Sequence, residues 1–103
     1  MMLFVFLRSA VGKVYKILPL KEEFDAGENA YLDTYLDSLC CELGGALDTF
    51  QELQSIPGYI SVLNTVKFLS QNTFDHTVCK REVFKMIRLL QQIEKEIGGD
   101  GCV

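Results

Sequence analysis

Residues 78–97 read VCKREVFKMIRLLQQIEKEI, and the rest of the sequence is best understood as what packs against this stretch. Its apolar residues recur at alternating steps of four and three, which places them on one face of an α-helix. They are Cys79, Val83, Met86, Leu90, Ile93 and Ile97. The opposite face is polar and carries Arg81, Lys85, Arg88, Gln92 and Lys95. The pattern predicts an amphipathic helix over residues 75–97, capped by Thr73 or Asp75.

Residues 30–54 also have helical spacing. Their apolar face consists of Leu32, Leu36, Leu39, Leu43, Ala46, Leu47 and Phe50. Gly44 and Gly45 interrupt the segment at a cost of about 1 kcal/mol each relative to alanine. The pair either divides the segment into two helices or lets another backbone approach closely. Because the apolar face stays in phase across the pair, we expect one helix, with the glycines as the place for a kink.

Residues 58–70 predict a third helix, apolar over most of its circumference, with Pro57 in its first turn. Residues 1–20 form an apolar N-terminal element, a helix or an extended segment, which Pro19 is expected to end. The acidic residues 21–29 predict a loop, with Asn29 as the cap of the next helix. Gly98 and Gly99 are expected to stop the last helix, which leaves residues 98–103 as a flexible tail.

These elements predict an all-α fold: a single domain, built as a small bundle of three main helices with the N-terminal element packed on them. The apolar run at the N-terminus is far below the roughly 20 residues of a membrane helix. A signal peptide has a basic region before its apolar run, and this run has none. We therefore expect no membrane association.

Hydrophobic residues make up 49% of the 103 residues, which is at the upper end for a soluble protein. A chain of this length cannot bury so much apolar surface alone, and we expect a second copy, most simply in a homodimer, or a partner protein to cover the excess. The four cysteines are Cys40, Cys41, Cys79 and Cys102. Their spacing is not that of a disulfide framework, so we interpret them as free thiols in a reducing cytoplasm.

Charge is segregated along the sequence. Residues 1–20 carry a net charge of +3, residues 21–54 carry −8 and residues 55–103 carry +1, which gives −4 overall. The overall sign argues against nonspecific binding of nucleic acid. Two stripes are candidate partner-binding sites, although each is also what the solvated side of a helix looks like. The acidic stripe is Asp33, Asp37, Asp48 and Glu52, and the basic stripe is Arg81, Lys85, Arg88 and Lys95.

Nothing in the sequence predicts catalysis. It has no glycine-rich phosphate loop and no nucleophile elbow. His76 and Cys79 have the spacing of a zinc-ligand pair, but no second pair with metal-ligand spacing accompanies them. We therefore expect a protein that is not an enzyme and that holds no metal or cofactor.

The preferred hypothesis is a non-catalytic, homodimeric module that occupies the surface of a protein partner. No motif assigns the chain to a family, but its size, acidity and lack of catalytic motifs are like those of small accessory or inhibitor proteins of phages and mobile elements. The alternative is a small transcriptional regulator, similar to a helix-turn-helix protein, that contacts DNA through the helix of residues 75–97.

Overall fold

The structure, a computed structural model, describes residues 3–99 and the side chains of residues 3–97. Within that range it contains helices and no strand, so the all-α prediction is confirmed. The α-helices are α1 (Leu3–Tyr15), α2 (Ile17–Asp25), α3 (Leu32–Thr49), α4 (Pro57–Gln71) and α5 (His76–Glu94). A 3₁₀ helix (Gln51–Ser55) precedes α4, and a π-helical turn (Lys95–Gly99) follows α5.

The helices form a four-sided bundle in which α1 and α2 together make up one side. Helix α5 packs against α1, α2 and α4, while α3 packs against α4 and α2. The order around the bundle is therefore α1 with α2, then α5, α4 and α3, and α3 and α5 lie on a diagonal. Helix α1 is antiparallel to α5, because Arg8 contacts Glu94 and Tyr15 contacts Phe84.

The inner face of α5 is the one that its sequence predicts. Cys79, Val83, Met86, Leu90 and Ile93 are all buried. Ile97 instead remains 42% exposed, because the α-helix ends at Glu94 and the wider π-helical turn shifts the following residues out of phase.

Residues of every other helix complete the core. Tyr59 of α4 is fully buried, and its hydroxyl donates a hydrogen bond of 2.5 Å to the Leu43 carbonyl of α3. Its ring lies 6.5 Å from that of Phe6, between centroids. The buried residues of α1 are Leu3, Phe6, Leu7, Ala10 and Val14, so the N-terminal element belongs to the folded core.

The prediction that Pro19 ends the N-terminal element is wrong. The predicted loop of residues 21–29 is wrong for residues 21–25, which are helical, while residues 26–29 do lie outside the helices. Pro19 lies in the first turn of α2, where a backbone N–H is not needed, and the helix continues to Asp25. Lys21 explains why a polar segment packs here. Lys21 as a whole is buried, and its Nζ lies 2.9 Å from Asp25 Oδ1 and 4.8 Å from the centroid of the Phe74 ring.

The turn between α2 and α3 also differs from the prediction. Gly27 adopts a φ of 76°, a left-handed conformation that favours glycine. The side chain of Asn29 accepts a hydrogen bond of 3.0 Å from the Tyr31 backbone N–H. Tyr31, not Asn29, occupies the N-cap position of α3, and its side chain makes no capping bond. Asn29 therefore stabilises the turn that precedes the helix.

Most of the remaining helix ends lie close to their predicted positions. Helix α3 continues through Gly44 and Gly45 as one helix. It ends at Thr49, well before the predicted end at residue 54, because residues 51–55 are 3₁₀. Asp75 caps α5 by accepting a hydrogen bond of 2.8 Å from the Val78 N–H. Gly98 and Gly99 do not follow an α-helix directly, because the π-helical turn passes through them. Most of the tail predicted to be flexible, residues 100–103, lies outside the described residues.

Candidate protein-binding site

The basic stripe lies on the outward side of α5. Arg81, Lys85, Arg88 and Lys95 are all exposed. The Nε of Arg81 lies 3.0 Å from Glu82 Oε2 on the same helix. Within residues 3–97, no ion pair involves Lys85, Arg88 or Lys95. Three of the four predicted cations are therefore available to a partner.

The two glutamates of α5 lie at the flanks of the stripe, and only Glu82 pairs with one of its cations, Arg81. Glu94 accepts a hydrogen bond of 3.3 Å from Arg8 of α1. Both Glu82 and Glu94 have side chains only 18% exposed. Lys85 and Arg88 therefore have no ion-pair partner within residues 3–97, whereas Lys95 lies next to the exposed Glu96.

Two aromatic residues that the sequence analysis did not select lie beside this stripe. Tyr15 of α1 is 54% exposed and Phe84 of α5 is 41% exposed. Their ring centroids are 6.5 Å apart and the ring planes are 77° apart, an edge-to-face contact on the surface. Lys80 and Arg88, both exposed, lie one helical turn to either side of Phe84. We call Tyr15, Lys80, Phe84 and Arg88 the aromatic–basic face.

Part of this face has a signal in the sequence. Phe84 directly follows the buried Val83, so it is a large apolar residue out of phase with the inner face of the helix. That mismatch of phase is enough to predict that the Phe84 ring is exposed. The contribution of Tyr15 has no such signal, because it depends on how α1 packs against α5.

The acidic stripe lies on another side of the molecule. Asp33, Asp37 and Asp48 are exposed on α3, and Glu52 is exposed on the 3₁₀ helix. Asp37 and Asp48 are separated by about 16 Å along the helix axis. Because α3 and α5 lie on a diagonal, their outward sides face away from each other. The structure thus does not bring the two predicted stripes together into one site.

The candidate zinc pair is also divided between solvent and core. His76, the first residue of α5, is exposed, whereas Cys79 is fully buried. Burial raises the pKa of the Cys79 thiol to about 11, an effect that nearby Asp25 increases and Lys21 opposes. Cys40 is half-buried and Cys41 is exposed. Over the described part of the chain, no three His, Cys, Asp or Glu residues are grouped so that they can hold a metal ion.

The seam between α1 and α3 contains a further group of polar side chains. Lys13 pairs with Glu42, and the Tyr35 hydroxyl donates a hydrogen bond of 2.7 Å to the Lys13 carbonyl. Burial and, to a lesser extent, the charge of Glu42 raise the pKa of Tyr35. Each of these three residues has a partner across the seam, so together they join α1 to α3.

Comparison with known proteins does not indicate a function for the chain. No protein-family model matches the chain, and neither does any curated protein or solved structure. None of the helices in residues 3–99 has the length and apolar character needed to cross a membrane.

Proposed function

We propose that this chain is a non-catalytic protein-binding module that holds an acidic partner protein on its aromatic–basic face. The observation that carries the proposal is the half-exposed ring pair of Tyr15 and Phe84, flanked by cations that make no ion pair within residues 3–97. Tyr and Arg are among the residues that contribute most to binding at protein interfaces. The rings offer an apolar anchor, and the cations select partners with acidic side chains.

The charge distribution favours one orientation of such a partner. Lys80 and Arg88 lie on either side of Phe84 along α5, and Lys85 and Lys95 extend the positive surface along the helix. A partner helix that presents an apolar residue between acidic residues one turn away on each side matches this order. The acidic stripe on α3 remains available for a separate basic partner, because it faces away from α5.

The DNA-binding alternative has less support. Helix α4, the connection of residues 72–75 and α5 do follow one another as in a helix-turn-helix. If α5 entered a DNA groove, however, the exposed Tyr15–Phe84 pair beside it would need an apolar partner, which the sugar–phosphate backbone does not offer. The net charge of −4 also opposes approach to DNA. A protein surface satisfies both the rings and the cations.

A binding assay with defined probes tests the proposal. The first probe is a fluorescent helical peptide that carries leucine flanked by glutamates one turn away on either side. The second is the same peptide with glutamine in place of every glutamate, and the third is a duplex DNA of about 20 base pairs. We expect measurable anisotropy changes with the acidic peptide at physiological salt, with an affinity that falls as salt increases.

Variants on the two sides of the molecule make the assay specific. Phe84→Ala and Arg88→Glu should each weaken binding of the acidic peptide about tenfold, as expected for central interface residues. Asp48→Asn, on the outward side of α3, should leave it unchanged. Equal affinity for the glutamine peptide contradicts the proposal, as does tight binding of the duplex without binding of the acidic peptide.

A further inference from the structure

The outward side of α4 differs from the other sides of the bundle in having almost no charge. The helix contains one charged residue, Lys67, among the fifteen from Pro57 to Gln71. A shallow groove of about 630 Å³ runs over this side, bounded by the 3₁₀ helix at one end and by Glu82 of α5 along one edge. Glu82 already pairs with Arg81. The floor of the groove is therefore electrically neutral.

The residues of this surface form a regular row. Pro57, Ser61, Asn64 and Phe68 are spaced by four, three and four residues, so they share one face of the helix. Ile60 and Thr65 line its edges. The row has a hollow of small and medium side chains at its N-terminal end and a large ring, Phe68, at its C-terminal end. That ring is 51% exposed.

We infer that this row, which we call the α4 row (Pro57, Ile60, Ser61, Asn64, Thr65 and Phe68), is the interface through which two copies of the chain form a two-fold dimer. A two-fold contact places the same surface of each copy against itself. The outward sides of α3 and α5 are acidic and basic respectively, so each repels its own copy in such a contact. The α4 row can meet itself without bringing like charges together.

A contact between the basic side of one copy and the acidic side of another is a different kind of assembly. Because α3 and α5 lie on a diagonal of the bundle, that contact is head-to-tail. Head-to-tail contacts add further copies and close only if the rotation between copies allows a ring. The α4 row contains Phe68, one of the seven large hydrophobic side chains that are exposed in the described residues, so a two-fold contact at α4 covers part of the apolar excess.

The spacing of the row also matches the geometry of an antiparallel pair. When two copies of α4 cross at Asn64, residues four positions to either side of the crossing lie opposite each other. Phe68 of one copy then lies against Ile60 of the other, at the hollow end of the groove. Ser61 and Thr65 are small enough to let the two helices approach at the usual distance of about 8–10 Å. Because the pair is symmetric, the Phe68 ring of each copy lies at the hollow end of the other copy's groove.

The size of the contact indicates a modest affinity. Helix α4 is about 22 Å long, and one helix face covers less than the surface that standard stable interfaces bury. We therefore expect a monomer–dimer equilibrium with a dissociation constant in the range of roughly 10 to 500 µM. The inference is independent of the acidic partner, because dimerisation through α4 leaves the aromatic–basic face of both copies open.

Sedimentation equilibrium of the full chain over roughly 5 to 1000 µM protein tests the inference, since that range brackets the expected dissociation constant. The test variant is Phe68→Glu, and the matched control is Phe84→Glu, which makes the same change at a half-exposed ring on α5. We expect Phe68→Glu to weaken dimerisation at least tenfold and Phe84→Glu to leave it unchanged. The acidic-peptide assay should show the reverse, so failure of one proposal is distinguishable from failure of the other.

A crosslinking experiment locates the axis. In a background with serine at Cys41 and Cys102, Asn64→Cys should form a disulfide-linked dimer on mild oxidation, because Asn64 is exposed and lies at the crossing point. Lys85→Cys, exposed on α5, should not. A monomer at every concentration overturns the inference. So does a dimer that Phe68→Glu leaves intact, or one in which both cysteines crosslink equally.

Discussion

Tyr59 and Phe68 are aromatic residues of the same helix, and they have opposite environments. They are nine residues apart on α4, which places them on opposite sides of the helix. Tyr59 is fully buried, and its hydroxyl bonds to the Leu43 carbonyl. Phe68 is half-exposed at the edge of the groove. The inner side of the helix maintains the fold, whereas the outer side is free to contact other molecules.

The same division holds for α5. Its inner residues, from Cys79 to Ile93, are buried in the common core, whereas its outer side carries the cations and Phe84. The two outer sides differ from each other in charge, since that of α5 is basic and that of α4 is neutral. This difference is what leads us to propose an acidic partner for α5 and a second copy for α4.

The largest expected effect is the difference in the free energy of unfolding between substitutions of Tyr59, on the inner side of α4, and Phe68, on its outer side. Tyr59→Ala removes a buried ring and its hydrogen bond, and we expect a loss of about 4 kcal/mol in the free energy of unfolding. Phe68→Ala, the matched control, should change it by about 0.5 kcal/mol or less. Urea denaturation followed by circular dichroism, at a concentration where the chain is monomeric, measures both. Comparable losses for the two variants contradict the division.

A second test uses pH to probe the inner side of α5. Burial raises the pKa of the Cys79 thiol from its ordinary value of 9.0 to about 11, so the folded chain retains a proton that the unfolded chain loses. The resulting stabilisation is complete below pH 9 and is lost as pH rises toward 11. From this thiol alone we expect a loss of about 1 kcal/mol by pH 10 and about 2 kcal/mol by pH 11.

The variant Cys79→Ala should flatten this dependence between pH 9 and pH 10, whatever its effect at neutral pH. Denaturation under reducing conditions at pH 8, 9 and 10 gives the comparison. Cys41→Ala is the matched control, because Cys41 is exposed and its removal should leave the slope unchanged. A slope that persists in Cys79→Ala assigns the pH dependence to other groups. Burial raises the pKa values of Tyr59 and Tyr35 as well, so both add to the loss once the unfolded chain ionises near their ordinary pKa of 10.0.

The inner sides of the helices were predictable from the sequence because they repeat. Spacing of apolar residues at steps of three and four identified the buried face of α5 and the continuity of α3 through its glycines. The error at α2 has a physical cause. Lys21 is counted as polar in such patterns, yet it is buried and its amine pairs with Asp25.

The outer sides were predictable only in part. The exposed positions of Arg81, Lys85 and Arg88 on α5 follow from the helical period, whereas Lys95 is exposed in the π-helical turn that comes after α5. Their surroundings depend on neighbouring helices. Arg8 reaches Glu94 and Tyr15 meets Phe84 because α1 packs antiparallel to α5, and these pairs are separated by far more residues than any local pattern spans.

The smallest expected effect concerns the outward side of α3. Gly44 and Gly45 lie within the helix, and a Cβ added at either one meets no atom within 4 Å. Each change to alanine should therefore raise the free energy of unfolding, by about 0.5 to 1 kcal/mol, because alanine restricts the unfolded chain without a clash. Gly27→Ala is the contrasting control. Its φ of 76° strains any other residue, so it should destabilise the fold by about 1 kcal/mol.

The sign of these changes distinguishes the two explanations for the glycine pair. Among the described residues, no atom outside the adjoining backbone of α3 lies within 4 Å of a Cβ added at Gly44 or Gly45, so close packing between these parts of the chain does not account for the glycines. If denaturation shows that both alanine variants are more stable, then the glycines lower the free energy of unfolding. That result is expected of a helix whose outer side contacts no neighbour. A loss of stability would mean either that the added Cβ meets a neighbouring atom or that the helix is not continuous through the pair. Either result contradicts the assignment of this side of α3 to solvent.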